Sequence, residues 1–378
     1  MSGLDGLELR SLATSGGQLR LSLETVSLDA PGPDELVVRV EATPINPSDL
    51  GLLLGPADAS TLRAEGTPER PVLVADIPAQ RLAAIRGRLD QSLPVGNEGA
   101  GTVVKAGGKV QHFLGKKVGM LGGGMYTQLR KLRAQDCILL PDDVDVAAGA
   151  SMFVNPLTAL GFTETMKAEG HRAIVHTAAA SNLGRMLNRI CLADGIGLVN
   201  IVRSNGQAEI LRDLGARHIV DSTSPDFQAE LVEAIAETGA SIGFDAIGGG
   251  SLAGRILQAM ETVASRDATA YSRYGSDAPK QVYIYGALDT GPTVLHRTFG
   301  FAWNVGGWLL TPFLQKADRE VVARMRQRVV DELGTTFASH YTKTISLADA
   351  LQPEIVAAYE RKSTGEKYLI DPSLRAQL

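Results

Sequence analysis

The stretch Ala173-Ile174-Val175-His176-Thr177-Ala178-Ala179-Ala180-Ser181-Asn182-Leu183-Gly184, followed on to Ser204, decides the fold of this chain. An apolar strand (Ala173, Ile174, Val175) enters a loop of small residues, Thr177 to Gly184. A helix follows, then a second strand from Leu198 to Val202 that ends in Arg203 and Ser204. Small residues let backbone come close to a pyrophosphate, and the free amides of a helix N-terminus attract it, so this order reads as a nucleotide-binding unit. The literal Gly-x-Gly-x-x-Gly pattern is absent, and an ordinary tight turn stays open as the alternative.

The end of the second strand adds to the reading. An NAD-binding unit usually places Asp or Glu there for the ribose hydroxyls, whereas Arg203 and Ser204 suit a 2'-phosphate and point to NADPH as cofactor. A plain solvent-exposed arginine is the competing reading. Further strands follow, marked by their turn residues: His218-Ile219-Val220 after Gly215, Ile242 to Asp245 before Ala246-Ile247-Gly248, and Val282 to Tyr285 before Gly286-Ala287-Leu288. Ligands collect at the carboxyl ends of strands in an open parallel sheet, so these small-residue turns are candidate cofactor contacts.

A chain of 378 residues with 44% hydrophobic content is long enough for two cores. A net charge of -5 gives no electrostatic footprint for nucleic acid or an anionic membrane surface. The N-terminus lacks a basic segment followed by an apolar one, and no apolar run approaches the roughly 18 residues of a membrane span. The expectation is a cytoplasmic enzyme acting on a small-molecule substrate. Cys137 and Cys191 have no Cys or His at metal-ligand spacing and are expected as buried free thiols.

The predicted fold class is α/β: a Rossmann-type doubly wound parallel sheet plus a mostly β, partly barrel-like domain. Residues 1–152 are dense in short β-like runs (Glu35 to Val40, Gly101 to Lys105, Lys117 to Met120, Tyr126 to Lys131, Ile138 to Leu140) broken by Gly, Pro and Asp. Residues 153–339 alternate strands and helices. The last segment, 340–378, contains a short strand, a helix interrupted near Pro353 and a final strand at Lys367 to Ile370. It is expected to rejoin the first domain.

Three motifs precede the loop: Ile45-Asn46-Pro47-Ser48-Asp49, then Val95-Gly96-Asn97-Glu98-Gly99-Ala100-Gly101-Thr102-Val103-Val104, then Asn155-Pro156-Leu157-Thr158-Ala159. In order and approximate spacing they resemble the medium-chain dehydrogenase/reductase superfamily over nearly the whole chain, which implies a GroES-like first domain. Its zinc-dependent alcohol dehydrogenases place Cys where this chain has Asn46 and His where it has Asn97. Losing both ligands removes the Lewis acid that polarises an alcohol oxygen. The resemblance is therefore to the zinc-independent branch of quinone oxidoreductases and enoyl reductases, in which NADPH reduces a quinone or an α,β-unsaturated carbonyl. Enoyl-thioester reductases carry a tyrosine soon after the Asn-Pro-Ser-Asp motif; here Gly55-Pro56-Ala57-Asp58 stands instead. A non-catalytic NADPH-binding protein of the same fold is the reading from a different class.

Carried over by position, the resemblance puts Thr158 near the nicotinamide and Ala179, Ser181, Asn182 and Leu183 at the pyrophosphate. Arg203 and Ser204 fall at the adenosine phosphate. Ala246, Ile247 and Gly248, with Tyr285, Gly286, Ala287 and Leu288, fall on the ribose and nicotinamide side. Gln207 and Ser222 stand where many relatives have a Lys and a Tyr. Asn46 is the first catalytic candidate, orienting the nicotinamide or binding a carbonyl. Tyr126 is the second, as a phenol able to donate to an enolate, with a packing role in a strand as its alternative. Asp49 is expected to fix local backbone.

Residues 57–94 form an insertion with an amphipathic helix expected over Pro78 to Asp90 (Leu82, Ile85 and Leu89 on one face). In this fold the region would serve as a lid, or as a surface elaboration. The strand Val282 to Tyr285 and the aromatic run Val294 to Leu310 lie where relatives join two subunits, which implies a homodimer.

Overall fold

The computed structural model describes residues 4–266, 268–361 and 365–375. The chain separates into two compact units, one of residues 1–154 and 330–378, the other of residues 155–329.

In the first unit, β1 (Leu4–Ala13), β2 (Gln18–Leu28), β3 (Glu35–Pro44), β4 (Arg63–Thr67), β5 (Arg70–Asp76) and β6 (Ser92–Pro94) precede β7 (Glu98–Ala106), β8 (Lys117–Leu121), β9 (Leu129–Arg133) and β10 (Cys137–Leu139). One antiparallel sheet runs β4-β5-β2-β1-β6. Its core face is written in the alternation of β2, where Leu19, Leu21 and Leu23 are buried between Gln18, Arg20 and Ser22. A second sheet joins β10-β8-β7-β3, with β9 also paired to β3, around Leu36, Val38, Val40, Val103, Val118 and Met120.

The insertion differs from the expected lid helix. Its centre is the β4–β5 hairpin, which extends the first sheet, with β4 wholly exposed. Only one helical turn, Ala79–Leu82, forms, and it passes into a tighter 3-10 segment, Ala83–Arg88, kinked at Ile85. The apolar residues chosen as one stripe are met by packing against the β-sheet core (Leu82, Ile85 and Leu89), so a continuous helix is unnecessary.

The second unit holds β11 (Ala173–His176), β12 (Gly197–Val202), β13 (His218–Asp221), β14 (Ile242–Asp245), β15 (Gly248–Gly250), β16 (Lys280–Ile284), β17 (Asp289–Thr293) and β18 (Trp303–Gly307). Six of these form a parallel sheet in the order β13-β12-β11-β14-β16-β18. Counted along the chain, this is the 3-2-1-4-5-6 order of the doubly wound dinucleotide-binding fold, with its switch point between β11 and β14. The inner strands are mostly apolar, as expected of a parallel sheet covered on both faces, and Val175, Val199, Phe227, Leu231, Ile256 and Val282 fill one core. At one end of the sheet, β16 lies inside, flanked by β14 and β18. The strand expected to meet a second subunit at Val282 to Tyr285 is thus already paired on both sides, and β18 is the edge.

The chain returns to the first unit in β19 (Lys343–Ile345) and β20 (Tyr368–Ile370), and β20 pairs with the end of β3. Between them Asp349–Leu351 and Pro353–Glu360 are helical.

Candidate functional site

The loop after β11 is shaped by packing. Ala178 takes a positive φ of 50°, which turns the chain toward the helix Asn182–Asp194. Ser181 caps that helix, its Oγ accepting from the Gly184 amide at 3.1 Å. A Cβ on Gly184 would stand 2.2 Å from the Ala179 carbonyl oxygen, so only glycine lets helix and loop meet here. This is the close-packing role of the third glycine in the usual fingerprint, kept although the first two are replaced. Ala180 and Leu183 are buried, yet their amides have no hydrogen bond to any described residue. Unpaired amides at a helix start, walled by small side chains, fit a phosphate. The side chains of Ala179 and Leu183 are buried in packing; the Ala179 amide donates to the Ile201 carbonyl at 3.2 Å, so of the two only Leu183 offers a backbone N–H.

A buried clasp spans the switch point. Thr177 Oγ1 donates to Asp245 Oδ1 at 2.7 Å and accepts from the Ala246 amide at 2.8 Å. The Asp245 carboxylate also accepts from the amides of Ile247, at 2.9 Å, and Gly248, at 3.2 Å. The turn at Ala246 to Gly248 is therefore fixed before any ligand arrives, and its amides are already spoken for. Sequence reading missed Asp245 and Thr177; the signal was an acidic residue closing an otherwise apolar buried strand.

At the same level His176, wholly buried, shares a 2.8 Å hydrogen bond between Nε2 and the Tyr285 hydroxyl. Burial pushes the imidazole down to about 3 and the phenol well above its ordinary value, so both stay neutral at physiological pH. Phe162 packs against both rings, and Phe244 and Trp308 pack in turn against Phe162. Thr158 is buried one turn before Phe162 on the helix Val154–Ala168. Gly286 is half-buried, and Ala287 and Leu288 are exposed.

Arg203 lies exposed beyond β12, and its guanidinium meets no described residue in a hydrogen bond or ion pair. Ser204 caps the helix Asn205–Asp213. Gln207 returns the contact, its Oε1 accepting from the Arg203 amide at 3.0 Å, so the turn presents the arginine side chain outward. Ser222 is turned back onto the Val202 carbonyl.

Asn46 and Tyr126 belong to the first unit. Asn46 is buried after β3; its Nδ2 donates to Glu98 Oε1 at 2.8 Å and its amide to Asp49 Oδ2 at 2.7 Å. Glu98 Oε2 accepts from the amides of Phe153 and Val154, each at 2.9 Å, and Asp49 Oδ1 from that of Asn97 at 2.9 Å. Burial raises both carboxyl groups, Asp49 to about 7, against the pull of these donors and, for Glu98, of Lys367. Tyr126 is fully enclosed in the apolar core, with its hydroxyl on the Pro44 carbonyl at 3.2 Å and facing Asp49. Burial lifts its phenol well above the ordinary value. Of the two roles expected for Tyr126, this enclosure favours packing in the core.

Among the described residues no three His, Cys, Asp or Glu side chains gather at metal-binding distance, and no helix is long and apolar enough to cross a membrane. Cys137 and Cys191 are free and buried, and burial pushes each thiol up to about 12.

A parallel sheet of this order in one unit and a largely antiparallel set of strands in the other make the fold of the medium-chain dehydrogenases and reductases. The chain resembles the zinc-independent branch of that superfamily, the quinone oxidoreductases and enoyl reductases. It is 29% identical over 210 residues to the mitochondrial enoyl-acyl-carrier-protein reductase of Xenopus tropicalis, covering 53% of this chain and 51% of that protein. It is 27% identical over 158 residues to the quinone oxidoreductase of Pseudomonas aeruginosa, covering 41% and 49%. A solved structure from Mesorhizobium loti, described as a candidate NADPH:quinone reductase, superposes with a TM-score of 0.72 at 25% identity over 98% of this chain and 99% of that one. The chain spans about half the length of the curated relatives it matches. No family model matches it.

Proposed function

We propose that this protein is an NADPH-dependent reductase that delivers hydride to a quinone or an α,β-unsaturated carbonyl compound without zinc. The observation that carries the reading is the pair of amides of the buried residues Ala180 and Leu183 that no described residue pairs, set at a capped helix start beside the switch point. Bound NADPH would supply the hydride. The chain's part is binding and orientation. Ala179, Ser181, Asn182 and Leu183 hold the pyrophosphate, and Arg203 with Ser204 holds the adenosine phosphate. Thr158, the clasped turn Ala246 to Gly248, and Tyr285 to Leu288 define the nicotinamide side. Asn46, locked by Glu98, orients a carbonyl or the nicotinamide.

Acyl thioesters are the second substrate reading, favoured by the match to an enoyl-acyl-carrier-protein reductase. Oxidation of NADPH and NADH, followed at the nicotinamide absorbance with benzoquinone, phenanthrenequinone, a simple enone and crotonyl-CoA, separates the readings. Turnover of NADPH on a quinone or enone supports the first, turnover on crotonyl-CoA alone the second. Tight NADPH binding without turnover would point to a non-catalytic binding protein.

Two copies pairing through the open edge β18, beside the exposed Phe301 and Leu309, would make the protein a homodimer. Light scattering near the 40.0 kDa chain mass would contradict this.

A further inference from the structure

Arg88 closes the 3-10 segment Ala83–Arg88 of the insertion and lies half-buried, with Nη2 donating to Ser11 Oγ at 2.9 Å. The Ser11 hydroxyl gives its own proton to the Leu52 carbonyl at 2.9 Å, so it meets the guanidinium with a lone pair and no charge. Nε is buried without a hydrogen-bond partner. Nη1 also meets no described residue, but it is not enclosed and opens to the surface. Gly55, at a φ of 54°, leaves the room for it: a Cβ there would stand 2.8 Å from Nη1. Arg81 fixes the chain just beyond, its Nη1 donating to the carbonyls of Pro56 at 3.1 Å and Ala57 at 3.3 Å.

Other arginines of this unit find an acid. Arg10, Arg20, Arg39 and Arg63 each pair with a carboxylate. Arg88 pairs with none among the described residues, and burial pulls its pKa below the ordinary arginine value with no acid opposing the shift. A guanidinium drawn partly out of water without an anion is costly, and an arriving anion offsets that cost. Its planar fork matches a carboxylate, and a single positive charge beside one neutral hydroxyl balances a monoanion better than a phosphate dianion.

We propose that Arg88, backed by Ser11 and Gly55, is a binding site for a carboxylate monoanion. Resting on the reductase reading above, the source of that carboxylate is the substrate. Only the helical turn Leu50–Leu53 separates Gly55 from the Asn46–Asp49 segment, a span of about 9 Å along the chain. The substrate class is then an enone that also carries a carboxylate, a handle that the reduction leaves unchanged.

The test has two arms on the full chain. In the first, the arginine Nε–H NMR signals are followed during titration with levulinate, which has no C=C to reduce, and with its methyl ester; the Arg88 signal is the one missing from Arg88→Gln. A saturable shift with the acid and none with the ester is expected, and no shift with the acid would overturn the proposal. In the second, NADPH oxidation is compared on β-acetylacrylate and its methyl ester. The acid-over-ester ratio of kcat/KM is expected to fall about tenfold to a hundredfold in Arg88→Gln, the worth of a charged hydrogen bond. Arg88→Lys, which keeps the charge and loses the fork, should retain part of the ratio, and Arg86→Gln, which removes an exposed charge from the same segment, should retain all of it. A saturable shift with an unchanged ratio would keep the carboxylate site but give it to a separate acid, overturning the assignment to substrate. A shift without turnover of either acceptor would support the site and contradict the reductase reading instead.

Discussion

The two units solve opposite problems with polar groups. Around Asn46 in the first unit, the carboxylates of Asp49 and Glu98 are consumed by four backbone amides and one side chain, so the cluster is closed on itself. At the loop after β11 in the second, small residues bring backbone together and leave the amides of Ala180 and Leu183 unpaired. A closed cluster holds a shape; an open one waits for a ligand. The difference predicts that substitutions in the first unit act on stability and those in the second on cofactor affinity.

The largest effect should come from breaking the closed side. Glu98→Ala removes the acceptor of the Asn46, Phe153 and Val154 donors in a buried setting, and unfolding free energy is expected to fall by about 4 kcal/mol in urea melts. Through the freed Asn46, turnover by the remaining folded protein should fall more than its affinity for NADPH. Gly184→Val strikes the open side by driving a side chain against the Ala179 carbonyl, at a cost of about 3 kcal/mol and with loss of NADPH binding. Arg203→Ala should leave melting unchanged, because its guanidinium meets no described residue, and should weaken NADPH about tenfold to a hundredfold while sparing NADH.

The smallest effect sharpens the contrast through pH. Asp49 is raised in the folded state to about 7, so the folded protein holds a proton that the unfolded chain has released. Its contribution to stability is present below the ordinary carboxylate range and is lost as pH rises toward 7. Denaturation midpoints of wild type should fall over that window relative to Asp49→Asn, and parallel pH profiles would show that the amide donors keep the carboxyl ionised.

The sequence made the second unit legible because strand, small-residue loop and helix follow one another locally, and a parallel sheet buried on both faces repeats that signal strand after strand. The first unit was harder. The alternation of Leu19, Leu21 and Leu23 marks one strand but not its partners, and the β4–β5 hairpin carries a fully exposed strand with no apolar face to announce it. The stripe at Leu82, Ile85 and Leu89 satisfied helical spacing, yet the residues pack against a sheet through a broken turn, since spacing records which residues are buried and not the backbone that buries them. Candidate residues divided in the same way. The cap at Ser181 and the tight contact at Gly184 follow from local order. The Thr177–Asp245 clasp and the His176–Tyr285 pair join residues 68 and 109 positions apart, a distance no local pattern spans.

As proposed, the open loop is a dinucleotide cradle and Arg203 reads the extra phosphate. Fluorescence titration of wild type and Arg203→Ala with NADPH and NADH tests it directly. The predicted result is tight NADPH binding by wild type, weaker NADH binding, and convergence of the two in the variant. Equal affinities in wild type, or an unchanged preference in Arg203→Ala, would contradict it.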